Sequence, residues 1–169
     1  MVIRIRNQQR SKSLNLRRIR KDLARAASLL CLADAELSIL FVGSARMKSL
    51  NAEYRGIPRE TDVLSFAMNE GQPFPPRASR YTLHPPQADQ PGLAPHSSPS
   101  LTLGDIVISV PRASRQAREY GVAFPAELRR LLIHGLLHLA GYDHEKGRYQ
   151  KARMEKKEKE LLYALKEMD

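Results

Sequence analysis

Three histidines near the end of the chain have the spacing of metal ligands. His134 and His138 are four residues apart, so on a helix both imidazoles lie on one face and reach the same point in space. Gly141 follows, and a glycine can take the left-handed conformation that ends a helix and turns the chain back. That turn would bring His144 round as a third ligand. Three histidines leave one position of a tetrahedral zinc site open for water, which is the catalytic arrangement.

The same spacing matches the zinc-peptidase motif H-E-x-x-H-x-x-G-x-x-H at every position except the second. In those peptidases the glutamate at the second position takes the proton from zinc-bound water, whereas this chain has Gly135 there. The sequence therefore predicts metal-assisted hydrolysis, but not by the peptidase mechanism. The alternative is that His134 and His138 are ordinary histidines on a leucine-rich helix face, although three histidines around a helix-ending glycine favour a metal.

The size and composition of the chain predict one soluble domain. At 169 residues the chain can bury its own core without disulfides or a structural metal. Its single cysteine, Cys31, indicates a reducing compartment, and we expect this side chain to be a small buried hydrophobe. No apolar run is long enough to cross a bilayer, and the N-terminus is charged where a signal peptide would be apolar. We therefore expect a cytoplasmic protein that does not contact membranes.

The charge of the chain indicates a polyanionic partner. The formal net charge is +10, and a strongly positive surface attracts nucleic acid or anionic lipid. A hydrolytic metal centre favours nucleic acid over anionic lipid as the partner. The first part of the chain is the stronger candidate for phosphate contact, because its basic residues face only Asp22. These basic residues are Arg4, Arg6, Arg10, Lys12, Arg17, Arg18, Arg20, Lys21 and Arg25.

Apolar periodicity predicts a chain of mixed helices and strands. The predicted strands are 2–6, 36–42, 62–67 and 101–110, and the predicted helices are about 14–30, 44–54, 111–120, one from about 124 through the histidines, and 148–166. Ser44 is placed to cap the second helix, and Arg55 follows its end. An arginine there can bind a phosphate through two bonds, or it can simply interact with the helix dipole. A proline-rich stretch at about 69–100 predicts a long irregular insertion.

Three blocks of this sequence resemble the bacterial YbeY-type endoribonucleases, which are metal-dependent enzymes associated with ribosomal RNA maturation. The first block reads L-N-x-x-Y-R at 50–55 and continues as T-D-V-L-S-F at 61–66. The second block, at 103–109, reads L-G-D-I-V-I-S. The third block, at 134–144, reads H-G-x-L-H-L-x-G-Y-D-H and is the most specific of the three. The proline-rich stretch is longer than we expect for this family.

The resemblance implies a fold, an activity and a set of site residues. The fold is a single α+β domain over residues 1–169, with a mixed β-sheet of about four strands packed by about five helices and a metal site at the end of a long helix. The implied cofactor is one zinc ion, held by His134, His138 and His144. The implied activity is cleavage of single-stranded RNA in 16S ribosomal RNA 3′-end maturation and ribosome quality control. The partners would be ribosomal RNA and the small ribosomal subunit. Arg55 and His134 match the positions that are most associated with activity in the family.

The sequence does not decide the mechanism, and it leaves two rival functions open. We expect zinc to activate a water or a phosphoryl oxygen while Arg55 offsets charge on the phosphate. Asp143 could act as a base or could orient a metal ligand, and the 2′-hydroxyl of the RNA could itself be the nucleophile. The rivals are a metallopeptidase and a non-enzymatic ribosome assembly factor with structural zinc.

Overall fold

The computed structural model describes residues 1–68, 101–143 and 147–167. These residues contain four strands and five helices. The strands are β1 (Val2–Asn7), β2 (Glu36–Val42), β3 (Val63–Ala67) and β4 (Thr102–Ser109). The helices are α1 (Leu16–Leu29), α2 (Ser44–Arg55), α3 (Val110–Glu119), α4 (Phe124–Leu139) and α5 (Arg148–Lys166). None of these helices is both long and apolar enough to span a membrane. The predicted insertion at 69–100 lies outside the described residues.

The strands form one mixed sheet in the order β1-β2-β4-β3. β1 pairs with β2 and β2 with β4 in parallel, as expected for strands joined through helices. β3 pairs with β4 in the antiparallel direction and lies at one edge of the sheet. The α+β class and the mixed four-stranded sheet that the sequence predicted are therefore confirmed.

The two faces of the sheet are covered by different helices. Side chains of β2 alternate, so that Leu37, Ile39 and Phe41 pack in the main core with α1, α4 and α5. The opposite face is covered by α2, whose Met47 and Leu50 form a smaller apolar cluster with side chains of β3 and β4. The helix with the histidines and the helix that ends at Arg55 thus pack on opposite faces of the same sheet.

Two local predictions were wrong for identifiable reasons. Ser44 is the first residue of α2 rather than its cap, because Gly43 takes the N-cap position and the Ser44 side chain hydrogen bonds to Glu60 instead. Cys31 is exposed rather than buried. It follows α1 with a φ of 59°, and the Leu32 amide donates to the Ala27 carbonyl at 2.8 Å, so Cys31 occupies the left-handed position of a helix-ending motif.

Candidate functional site

The end of α4 is built to turn the chain immediately after the histidines. Gly141 has a φ of 80°, and its amide donates to the His138 carbonyl at 3.0 Å. The Tyr142 amide donates to the Leu137 carbonyl, also at 3.0 Å, which completes a Schellman motif. The glycine stop predicted from the sequence is confirmed. The third predicted ligand, His144, lies outside the described residues.

The two described histidines lie side by side on one face of α4. The ring centroids of His134 and His138 are 4.8 Å apart, with an angle of 72° between the ring planes. Both side chains are partly buried, so the rings are supported by the fold but remain accessible. The described residues alone bring together no group of three or more histidine, cysteine, aspartate or glutamate side chains that could hold a metal. The part of the predicted site that the structure describes is therefore a histidine pair.

Glu158 of α5 contacts the histidine pair, and the sequence did not reveal this contact. Its Oε2 atom lies 2.8 Å from Nδ1 of His134, and its side chain is 17% exposed. A carboxylate accepts hydrogen bonds, so it favours the tautomer with the proton on Nδ1 and leaves the Nε2 lone pair for a ligand. Histidines that bind metals are commonly held in this way. From the sequence Glu158 is one of several acidic residues on a lysine-rich helix, and nothing nearby distinguishes it.

A charged network holds Glu158 in place from the side of α4. Arg130 lies 3.9 Å from Oε1 of Glu158 and hydrogen bonds to both carboxylate oxygens of the buried Glu127, at 2.9 and 2.6 Å. The hydrogen bond with Glu127 raises the pKa of Arg130, and the charges of Glu127, Glu158 and Asp62 add to the rise although burial opposes it. A permanently charged guanidinium therefore faces the carboxylate that orients His134.

Gly135 faces the sheet rather than the histidine site. A Cβ atom at this position would lie 3.0 Å from Cγ2 and 3.1 Å from Cδ1 of Ile106, and 3.2 Å from Oγ of Ser65. The glycine therefore lets α4 approach β3 and β4 closely. A side chain at this position would crowd Ile106 and Ser65 and would point toward the sheet, so a residue here is not directed at the histidine pair.

Arg55 lies where the sequence placed it, at the end of α2. It is the last residue of the helix and is exposed, and Gly56 ends the helix with a φ of 69°. The following loop is tied back to the helix by buried Asn51, whose side-chain amide donates to the Arg59 carbonyl at 2.8 Å. The backbone around the guanidinium is therefore fixed from inside the fold.

Glu60 anchors the other end of the same loop. Its carboxylate accepts a 2.5 Å hydrogen bond from Ser109 and forms an ion pair with Arg115 of α3. Burial alone would raise the pKa of Glu60, but hydrogen bonds from Ser109, Ser44 and Arg115 and the charge of Arg115 hold it below its ordinary value. The loop between α2 and β3 is thus attached to α2, to α3 and to the end of β4.

Arg55 and His134 approach the same part of β3 from opposite faces. Tyr54, the neighbour of Arg55, packs edge-on against Phe66 with ring centroids 4.9 Å apart. Gly135, the neighbour of His134, packs against Ser65. Since residues 65 and 66 are consecutive in an edge strand, the end of α2 and the histidine-bearing part of α4 pack on the two sides of one sheet edge. Asp143 is partly buried two residues after Gly141. Its role, as a base or as a residue that orients a metal ligand, stays a prediction.

The fold and the histidine pair define an α+β domain with a candidate functional site between α4 and the edge of a mixed sheet. The family described as Endoribonuclease YbeY matches residues 4–166. The proteins named endoribonuclease YbeY from Geobacter metallireducens and Geobacter sulfurreducens are 37% and 38% identical over 166 residues, covering 98% of this chain and 96% of each relative. The chain therefore belongs to the endoribonuclease YbeY family.

Further comparisons agree with this assignment. The endoribonuclease YbeY of Desulforamulus reducens is 48% identical over 111 residues, which is 66% of this chain and 60% of that relative. The solution structure of TM1509 from Thermotoga maritima has a TM-score of 0.61 and 26% identity, covering 97% of this chain and 89% of that one. The resemblance noted in the sequence is thus confirmed at the level of family and fold.

Proposed function

We propose that this protein is a zinc-dependent, single-strand-specific endoribonuclease of the cytoplasm that acts in 16S ribosomal RNA 3′-end maturation and ribosome quality control. Family membership supports ribonuclease chemistry, because the relatives carry that name. The observation that carries the proposal is the histidine pair, with its rings 4.8 Å apart and Nδ1 of His134 engaged by Glu158 at 2.8 Å. The net charge of +10 suits a ribosomal RNA substrate.

The donor set fits zinc better than a harder cation. Imidazole nitrogens suit zinc, whereas magnesium and calcium prefer oxygen ligands. His134, His138 and, by its spacing, His144 would hold the ion. When bound, zinc supplies Lewis-acid chemistry to a phosphoryl oxygen or a water. Glu158 contributes by holding the His134 ring in one orientation and tautomer.

The protein side chains otherwise position and neutralise the phosphate. The Arg55 side chain, carried by the end of α2, binds the scissile phosphate through two hydrogen bonds and offsets the charge that grows in the transition state. In the simplest route the RNA 2′-hydroxyl gives up its proton as its oxygen bonds to phosphorus, the bond from phosphorus to the 5′-oxygen breaks, and a proton passes to the departing 5′-oxygen, so that no net proton is consumed. The products are then a 2′,3′-cyclic phosphate and a 5′-hydroxyl.

The experiment that tests the proposal compares substrates of one sequence. Purified protein with zinc restored is incubated with a single-stranded fragment from the 3′ region of 16S ribosomal RNA, its duplex form and the corresponding single-stranded DNA. We expect cuts in the single-stranded RNA only, and 2′,3′-cyclic phosphate ends. Equal cutting of duplex or DNA would contradict the proposed specificity, and 5′-phosphate ends would contradict the 2′-hydroxyl route.

A parallel incubation addresses the peptidase alternative. The chain has Gly135 where this mechanism needs a glutamate as its base, and that position faces Ile106 and Ser65 of the sheet. We therefore expect an unstructured protein substrate to remain intact under conditions in which the RNA is cut. Cleavage of the protein substrate but not of the RNA would contradict the endoribonuclease proposal and favour a metallopeptidase.

A further inference from the structure

A concave surface lies on the sheet face that carries α2, opposite the face that packs against α4. This cleft has a volume of about 650 Å³ and runs from β1 to α2 across the sheet. Its chemically distinctive lining residues are Arg4, Arg6, Arg46, Tyr54, Phe66 and Asp105. The volume is in the range of about 300–1,000 Å³ that is usual for ligand pockets.

We propose that this cleft binds single-stranded RNA, with Arg4, Arg6 and Arg46 on its phosphates and Tyr54 stacked on a base. The inference rests on the proposed function, and it adds a binding site distinct from the histidine pair. Four-stranded sheets in other RNA-binding modules stack about two or three bases on aromatic side chains of one face.

The arginines of the cleft are available to phosphate. Arg6 and Arg46 are exposed, and neither forms an ion pair with any residue in the described ranges. Arg4 shares its charge with Glu36 at 3.2 Å but keeps 69% of its side chain exposed. In contrast, Arg18 of α1 and Arg129 of α4 both pair with Asp22, at 3.1 and 2.9 Å. Part of the positive charge near α1 is therefore offset by Asp22, whereas Arg6 and Arg46 of the cleft keep theirs.

The aromatic end of the cleft offers a stacking surface. Tyr54 is 59% exposed, and its ring is supported edge-on by Phe66 at a centroid distance of 4.9 Å. A single exposed tyrosine has no special meaning, but one beside a basic groove has the combination that single-strand binders use. Stacking is possible for every base, so this contact predicts affinity rather than sequence preference.

Asp105 supplies a hydrogen-bond acceptor beside the aromatic pair. It is paired with Phe66 across β4 and β3, and its carboxylate accepts no hydrogen bond from a residue in the described part of the chain. A carboxylate repels phosphate but accepts from the exocyclic amino groups of bases. In this arrangement the RNA base lies at the β3 side of the cleft and the RNA phosphates lie toward β1.

The cleft also leads to the histidine site. Neighbouring strands are about 4.8 Å apart, so the path from β1 to β3 across the sheet is about 14 Å, enough for a few nucleotides. It ends at Tyr54, which precedes Arg55 at the sheet edge whose other side carries His134. A strand lying in the cleft would therefore pass Arg55 before it reaches the histidines.

The test measures RNA binding rather than cleavage. Full-length wild type, Arg6→Gln, Tyr54→Leu and the control Arg20→Gln are titrated with a fluorescein-labelled unstructured twelve-nucleotide RNA at several salt concentrations, and the RNA is checked for intactness afterwards. Arg20 is an exposed arginine on α1, which packs on the opposite face of the sheet.

Each variant has a distinct expected result. Arg6→Gln should reduce the slope of log K against log salt by about 0.7, the value for one phosphate contact to a single strand. Tyr54→Leu should weaken binding by about tenfold with an unchanged slope, because stacking is not electrostatic. Arg20→Gln should change neither quantity.

The outcomes separate this proposal from the proposed function. Wild type that binds through the cleft but does not cut RNA supports the cleft and contradicts the endoribonuclease proposal. Wild type that fails to bind, or unchanged affinity and slope in both Arg6→Gln and Tyr54→Leu, overturns the cleft as an RNA site. A reduced slope in Arg20→Gln alone also overturns it and assigns RNA binding to α1.

Discussion

At the scale of single residues, Glu158 connects the histidine pair to the rest of the fold. Its carboxylate lies 2.8 Å from Nδ1 of His134 and comes from α5, so two helices must be correctly packed for the histidine to be held. Arg130 keeps this carboxylate beside a fixed positive charge. The residue is 24 positions from His134, so no local pattern could have identified it.

We predict that Glu158→Gln weakens zinc binding by about 10- to 100-fold, the usual loss when a residue that orients a ligand is changed. The glutamine retains the size of the side chain but loses its charge. The measurement is competition for zinc against a chromophoric chelator, with circular dichroism to verify folding. The matched control is Glu155→Gln, whose side chain is 57% exposed on the same helix. Equal zinc affinity for wild type and Glu158→Gln would show that His134 needs no orienting partner.

We predict that the overpacking caused by Gly135→Ala, usually about 1–3 kcal/mol, exceeds the roughly 1 kcal/mol gained by replacing a glycine inside a helix, so that the free energy of unfolding falls by up to about 2 kcal/mol. The added Cβ would lie 3.0 and 3.1 Å from two carbons of Ile106. Chemical denaturation measures the loss. Ile106→Val removes one of these carbons, so the penalty of Gly135→Ala should be smaller in that background. An undiminished penalty would mean that the contact with Ile106 is not its cause.

At the scale of elements, the loop from α2 to β3 is the part that must hold Arg55. It is tied at one end by Asn51 and at the other by Glu60, which contacts Ser109 and Arg115. These ties join the loop to β4 and α3, so the position of the guanidinium depends on the packing of several elements.

The pKa of Glu60 is held below its ordinary 4.5, so the folded state binds the proton less tightly than the unfolded state. The stabilisation by this carboxylate is therefore complete above 4.5 and is lost as the pH falls through the lower, folded-state pKa. We predict that Glu60→Gln costs about 1–2 kcal/mol at neutral pH, and that the difference from wild type narrows as the solution is acidified.

Denaturation of both proteins across the acid range measures this dependence. Glu53→Gln, an exposed position on α2, is the control and should change stability by no more than about 0.5 kcal/mol. A difference between wild type and Glu60→Gln that stays constant with pH would contradict the role given to the charged carboxylate.

The elements themselves were largely predictable. Apolar alternation placed β2 at the residues where it is observed, and the β-branched run of β4 correctly indicated a central strand. Ser44 was misassigned because its hydroxyl hydrogen bonds to Glu60, a tertiary contact that propensity cannot show. Cys31 was misassigned because its position is decided by the end of α1 rather than by the hydrophobicity of a thiol.

At the scale of the whole molecule, the sheet separates a helix that carries histidines from a face that carries exposed arginines. The sequence predicted the histidine face through a four-residue spacing, and the pair is confirmed. It could not predict the cleft, because Arg6, Arg46 and Tyr54 come from different elements and meet only after the strands take the order β1-β2-β4-β3. Our cleft proposal uses Arg4 and Arg6 of the first basic segment, and phosphate contact by the other basic residues of that segment stays a prediction.

The central claim is that the histidine site performs metal-dependent RNA cleavage. The most direct measurement is cleavage of a labelled single-stranded ribosomal RNA fragment by wild type and by His138→Ala, purified in parallel, with zinc content determined for each. We predict that wild type holds about one zinc ion and cuts the RNA, while the folded variant does neither. Equal cutting by both proteins would show that the cleavage comes from a contaminant and would favour a non-enzymatic assembly factor instead.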